Sequence, residues 1–196
     1  MLDAERDYEF VKSFEPEIGS TKTGACFTPD ERFLATIGAS NSKVNIWQLS
    51  SLTKVYDIDL KNSYVHSLSI TSNRNYELLV LTCDQKLKAY SLGMEKAKFR
   101  GEIRNTHDLF ISSVVTLPNL KYLITTGGDK QVSVWDYKMR LNNGKDSSLS
   151  FNAHSSPIYT MAVSKHCKRI FTAGGGEGIY EWSHTLDINN YTDTLA

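Results

Sequence analysis

The 196 residues carry 22 acidic and 22 basic side chains, 40% hydrophobic residues and only 4 prolines. A net charge of zero gives no overall attraction to nucleic acid or membrane, so binding of either kind would need a local patch. No stretch approaches the roughly 18 apolar residues of a membrane span, and the charged start "MLDAERDYEF" lacks the apolar core of a signal peptide. Cys26, Cys83 and Cys167 are an odd number with no CxxC spacing. Read as free thiols in a reducing compartment, they predict an intracellular, cytoplasmic protein.

In chain order the predicted elements are short strands with period-2 patterning. An outer-type strand, "YEFVKSF" (8–14), comes first. Then follow "GACFT", "FLATIG", "KVNIW" and the outer "KVYDIDL" (54–60). The plan repeats as "VHSLSI", "YELLVLT", "KLKAY" and "KAKFR" (96–100). A third round reads "FISSVVTL", "KYLITT", "QVSVW" and "SLSF" (148–151), and a fourth "PIYTMAV", "KRIFTA" and "GIYEW". The turns between first and second strands, "TPDER", "TSNRN", "LPNLK" and "SKHCK", hold residues that tolerate or preset turn dihedrals. The last segment, "SHTLDINNYTDTLA", predicts a brief strand and a loose end. No apolar run at three- and four-residue spacing persists for three turns, so the chain is all-β.

The aromatics Trp47, Tyr90, Trp135 and Trp182 close the third strands at intervals of 43, 45 and 47 residues. Such a period marks a repeat architecture. His107 and His154 each lie 28 residues before a tryptophan, and the third unit holds the dipeptide Trp135-Asp136. This combination resembles the WD40 repeat, a four-stranded blade of a β-propeller. The resemblance spans about residues 8–184. It implies a lead-in at 1–22, blades at 23–60, 61–100, 101–151 and 152–188, and a tail at 189–196. WD40 propellers commonly have seven blades, so the four here are expected to belong to a larger propeller, completed by further sequence or by another chain.

The resemblance also implies a structural tetrad within a blade. In the third unit it falls on His107, Thr125, Asp129 and Trp135. The fourth offers a partial set, His154, Thr172 and Trp182, with Gly176 where the aspartate belongs and Glu177 one residue on. The second keeps Asp84 but has Asn62 near the histidine position and Tyr90 for tryptophan. The first has Trp47, Asn41 in place of aspartate, and no histidine.

An Asp-His-Thr set invites a catalytic reading, because such a constellation can activate a hydroxyl. Here the hydroxyl would sit inside a blade beside a tryptophan, away from substrate. "GGGEG" (174–178) leads into a strand, so it offers no helix N-terminus to a phosphate. His166 and Cys167, with His154 and His184, match no zinc spacing. No catalytic, cofactor-binding or metal-ligating set is predicted, and His66 is the one imidazole on the innermost strands. Lys96, Lys98 and Arg100 alternate along an outer strand and are expected to share a face. That face either protects an edge or docks an acidic partner, such as the surface of a microtubule. The first seventeen residues lean the other way, with six acids against Arg6 and Lys12.

The function expected is a non-catalytic scaffold for protein–protein interaction, without direct contact to nucleic acid or membrane. "LITTGGDKQVSVWDY", "AHSSPIYTMAVS" and "IFTAGGGEGIYEW" are similar in flavour to large multi-propeller WD40 proteins of cilia, axonemes and centrioles. That similarity implies a structural role in a large cytoskeletal assembly, with microtubule-associated proteins as partners. A soluble adaptor for ubiquitin ligases, chromatin or vesicle coats is the alternative, and a propeller-fold enzyme the minor one.

Overall fold

The computed structural model describes residues 2–3, 9–10, 24–38, 41–71, 76–117, 122–137, 149–164 and 169–183. Every element among them is a strand. No helix of the described residues is long and apolar enough to cross a membrane. Leu2–Asp3 (β1) pairs with Glu9–Phe10 (β2). Of the outer strand expected at 8–14, only residues 9 and 10 are described. The segment beyond Ser183, with the tail at 189–196, lies outside the described residues, as do His166, Cys167 and His184.

Four antiparallel sheets follow in chain order. The first holds Ala25–Phe27 (β3), Phe33–Ile37 (β4), Lys43–Gln48 (β5) and Thr53–Asp59 (β6). The second holds Val65–Ile70 (β7), Glu77–Thr82 (β8), Leu87–Leu92 (β9) and Ala97–Ile103 (β10). The third holds Ile111–Thr116 (β11), Tyr122–Gly127 (β12), Gln131–Asp136 (β13) and Leu149–Asn152 (β14). The fourth holds Ile158–Val163 (β15), Arg169–Gly174 (β16) and Ile179–Ser183 (β17). Strand β10 runs three residues past position 100, and Asn152 still pairs with Gln131 in the third sheet. The sheet boundaries therefore sit slightly later than those read from the repeat.

Local irregularities repeat with the sheets. The innermost strands β7, β11 and β15 each shift register after their first residue, skipping His66, Ser112 and Tyr159. The outer strands β6 and β10 shift at matching positions, skipping Val55 and Arg100. A bulge turns one side chain out of the alternation and adds twist; the second sheet has both kinds, the first only the outer one, and the third and fourth only the inner one. Asn41, Gln85 and Lys130 all have positive φ just after the turn between second and third strands. That is the geometry of a hairpin loop closed by a left-handed residue.

The innermost strands contact one another in the order β3, β7, β11, β15. Each sheet has an aromatic face, carrying Trp47, Tyr90, Trp135 or Trp182, and an aliphatic face behind it. The core lies where the aliphatic face of one sheet meets the aromatic face of the next. Ala35, Ile37, Val44 and Ile46 pack on Leu78, Val80 and Tyr90. Leu79, Leu81, Leu87 and Ala89 pack on Val114, Leu123 and Trp135. Ile124, Val132 and Val134 pack on Met161 and Ile170, with Trp182 at the edge. Burial of both faces is what a sheet in a stacked array requires, and a lone sheet cannot supply it.

Candidate functional site

In the third sheet the loop after β10 delivers His107, strand β12 delivers Thr125, the following turn Asp129, and β13 Trp135. His107 Nδ1 lies 2.8 and 3.0 Å from the two Asp129 carboxylate oxygens. Its Nε2 is 2.8 Å from Thr125 Oγ1, which accepts from Trp135 Nε1 at 2.8 Å. One proton order satisfies the set: the indole donates to the hydroxyl, the hydroxyl to Nε2, and Nδ1–H to the carboxylate. The imidazole is then neutral. Asp129 also accepts from the backbone N–H of Asp108 at 3.0 Å and of Gln131 at 3.2 Å. Burial opposes ionisation of Asp129, but these hydrogen bonds and the His107 partner outweigh it and hold its carboxyl below the usual value. The His107 side chain is 0% exposed and Thr125 is fully buried. The hydroxyl is engaged on both sides and cannot meet a substrate.

The fourth sheet builds the same chain from a different carboxylate. His154 Nε2 lies 2.8 Å from Thr172 Oγ1, which accepts from Trp182 Nε1 at 2.8 Å. His154 Nδ1 is 2.8 Å from Glu177 Oε2, and Ser155 N–H donates to Glu177 Oε1 at 2.9 Å. Here the positive φ belongs to Gly176, one residue earlier than at Lys130. The turn is rewound by one position, and the longer glutamate reaches back to the imidazole. Burial again opposes ionisation of Glu177, but His154 and the Ser155 N–H prevail and lower its pKa.

Glycines reserve the room for these rings. A Cβ on Gly127 would stand 2.6 Å from His107 ring atoms, and one on Gly174 would stand 3.1 Å from His154 Nδ1. The first sheet has no histidine, and Asn45 takes that space: a Cβ on the matching Gly38 would be 2.9 Å from Asn45 Nδ2. Trp47 Nε1 still donates to Thr36 Oγ1 at 2.8 Å. Asn45 Oδ1 is buried without a partner among the described residues. In the second sheet the matching residue is Thr82, whose hydroxyl donates to the Lys86 carbonyl at 3.0 Å. Asn62 there is exposed. Its neighbour Ser63 donates to Asp84 at 3.3 Å and accepts from Lys88 Nζ at 3.1 Å.

On the rim, Lys96, Lys98 and Arg100 are all exposed. Arg100, however, is the bulge residue of β10, and its Nε is 3.2 Å from Glu77 Oε1. The three cations therefore do not project as one unpaired row, because the bulge ends the alternation on which that expectation rested. Glu77 also accepts from the Tyr137 hydroxyl, tying the second sheet to the third. Burial, then the Glu77 carboxylate, push the Tyr137 phenol above its usual range. Sequence reasoning missed this junction, since nothing in a period of about 45 residues links Glu77 to Tyr137.

Half-buried His66 and Phe110 meet exposed Tyr159 in a second cluster. His66 and Phe110 have ring centroids 5.5 Å apart, and Phe110 stacks on Tyr159 at 6.4 Å with planes 11° apart. Exposed Tyr64 lies just before β7, which carries His66, and exposed Leu109 just before Phe110. A Cβ on Gly128 would come within 2.5 Å of the Phe110 ring, so this ring rests directly on backbone. Among the described residues no three His, Cys, Asp or Glu side chains group to hold a metal. Cys26 is a half-buried thiol whose pKa burial pushes up to about 12, and Cys83 is exposed.

No curated protein matches the chain. The family model described as WD domain, G-beta repeat, matches residues 99–136, which run from the outer strand of the second sheet to the third strand of the third. That stretch holds the complete His107–Thr125–Asp129–Trp135 network. Residues 99–136 are thus a WD40 repeat, and the four antiparallel sheets of three or four strands are consistent with blades of a β-propeller of that type.

Proposed function

We propose that the chain is a non-catalytic, cytoplasmic scaffold that holds other proteins on its rim and faces. The observation that carries this reading is the inward use of the polar networks. Their imidazoles, hydroxyls and carboxylates satisfy one another inside the blades, which leaves the loops and outer strands as the working surface.

The finer proposal is a structural role in a ciliary, axonemal or other microtubule-associated assembly, with Lys96 and Lys98 meeting an acidic partner. Their exposure on the outer strand of the second blade supports it. The test is co-sedimentation with microtubules across a salt series. Wild type should pellet at low salt, and the double variant Lys96→Glu/Lys98→Glu should stay in solution. Equal pelleting of both proteins, or none by either, would reject the role.

A second reading, a soluble adaptor for ubiquitin ligases, chromatin or vesicle coats, is favoured by the aromatic surface of Tyr64, Phe110 and Tyr159. Exposed Tyr64 and Tyr159, the latter stacked on half-buried Phe110, suit the aromatic anchors of a protein interface. Under that reading Tyr64→Ala and Tyr159→Ala abolish partner capture, and the Lys96/Lys98 variant retains it.

A further inference from the structure

Strand β10 lies at the end of the second sheet, and no strand among the described residues pairs with its outer edge. Its first half is open to solvent: Lys96, just before the strand, Lys98 and Phe99 are all exposed. Lys98 stands opposite Ser91 and Phe99 opposite Tyr90, and the Lys96 carbonyl continues the ladder by accepting from Gly93 N–H at 3.1 Å. Lys96 and Lys98 therefore share one face of the strand. Phe99 stands on the other, where its ring meets the edge of Tyr90 at 5.4 Å. The turn adds a shallow depression of about 410 Å³ lined by Leu92, Met94, Glu95, Lys96 and Lys98.

Neither lysine has an acidic partner among the described residues, whereas Arg100, at the bulge, is held by Glu77. The other two described outer strands differ. In β6, Asp57 pairs with Lys43 at 3.5 Å and Asp59 accepts from the Lys61 N–H at 2.7 Å, so its carboxylates are engaged. Strand β14 carries no charge. Lysines on an edge strand deter pairing with neutral or basic strands. They favour one kind of strand, which brings a carboxylate to each ammonium across the ladder.

We infer that the edge from Lys96 to Phe99 binds an extended acidic segment of another protein as an added strand. Alternate residues of that segment are carboxylates facing Lys96 and Lys98, and those between them are apolar and cover Phe99. Backbone hydrogen bonds supply affinity, and the two faces supply selectivity. The bulge at Arg100 and the burial of Gly101 and Ile103 end the site, so the segment it recognises is short. Glu95 lines the same depression and repels a carboxylate placed before Lys96, which sets where the acids sit. The inference rests on the scaffold reading and its acidic partner, and it does not require that partner to be a microtubule.

The probe is a fluorescein-labelled peptide of alternating Glu and Val, about eight residues long as a strand requires, titrated with the 196-residue chain. Its anisotropy should rise and saturate, and the midpoint should move to higher concentration with added salt. Lys96→Glu/Lys98→Glu should weaken binding roughly tenfold or more, since two exposed pairs become repulsions; an unchanged circular dichroism spectrum shows that the variant folds. Phe99→Ser should weaken it several-fold. Two peptide controls leave the protein untouched: the same residues in blocks, and Lys in place of Glu, should both fail to bind. Bound peptide should slow amide hydrogen exchange at residues 96–99. Overturning results are no saturable binding, equal binding of either control peptide, indifference to the lysine variant, or protection confined to other strands. Peptide binding by a chain that does not pellet with microtubules upholds this inference and removes the microtubule role; pelleting without peptide binding does the reverse.

Discussion

Replacing Asp129 by alanine should cost about 3 kcal/mol. The carboxylate accepts from His107 Nδ1, Asp108 N and Gln131 N. The imidazole is fully enclosed, so its N–H loses its partner with no route to water, a penalty of about 1–3 kcal/mol. Gln131 N–H is half-buried and loses a hydrogen bond to a charged group, about 1.5 kcal/mol. Asp108 is exposed and its N–H can turn to solvent, so it adds little. Urea unfolding followed by Trp fluorescence reads the sum. With a slope of about 2 kcal/mol/M, the midpoint should fall by about 1.5 M with the slope unchanged. Asp129→Asn keeps an acceptor near Nδ1 and should lose roughly half as much. A shift within about 0.2 M for the alanine variant would mean that Asp129 does not support the imidazole, and the energetic reading of the network would be wrong.

Gly127→Ala should destabilise by about 1–3 kcal/mol, as overpacking does, because its Cβ collides with His107; Gly178→Ala, with open space around it, should be near neutral, and paired melts compare them. Glu177→Asp should lose stability relative to wild type in the same assay, since the shorter chain on the rewound turn no longer reaches His154. The carboxyls of Asp129 and Glu177 are lowered on folding, so their contribution is fully present above the unfolded values of about 4. It is lost as pH falls through the lower folded values. A urea-midpoint series from pH 7 to pH 2 should show this loss in wild type and a smaller one in the Asp129→Asn/Glu177→Gln variant. Tyr137→Phe should cost about 1 kcal/mol by removing the donor to Glu77, measured against a Glu77→Gln/Tyr137→Phe double-mutant cycle.

The strands of all four blades were legible because apolar alternation and polar turns recur at a nearly constant period. The third-blade network was legible for the same reason: its four residue types sit at fixed offsets from Trp135. What escaped was set by backbone detail. The sequence shows Glu177 one place too late, and only the positive φ at Gly176 explains how it substitutes for aspartate. Asn45 filling the imidazole space could have been suspected from Gly38, which stands two residues after Thr36 as Gly127 stands after Thr125. The shared face expected of Lys96, Lys98 and Arg100 failed at a bulge that period-2 counting cannot anticipate. Asn62 was the nearest polar residue by spacing, but the loop before β7 brings Ser63 to Asp84 instead.

A threonine–tryptophan bond, extended by histidine and carboxylate in the third and fourth blades, recurs in the first, third and fourth blades. Trp47, Trp135 and Trp182 each donate an indole N–H to a threonine hydroxyl at 2.8 Å. The direct measurement is hydrogen exchange of the three indole N–H signals in a two-dimensional nitrogen–proton spectrum. All three should exchange far more slowly than a free indole, with Trp135, the most buried, slowest. Thr36→Val, Thr125→Val and Thr172→Val should each release the signal of its own tryptophan and leave the other two protected. Exchange at the free rate for all three, or loss of all protection on any single substitution, would contradict the account.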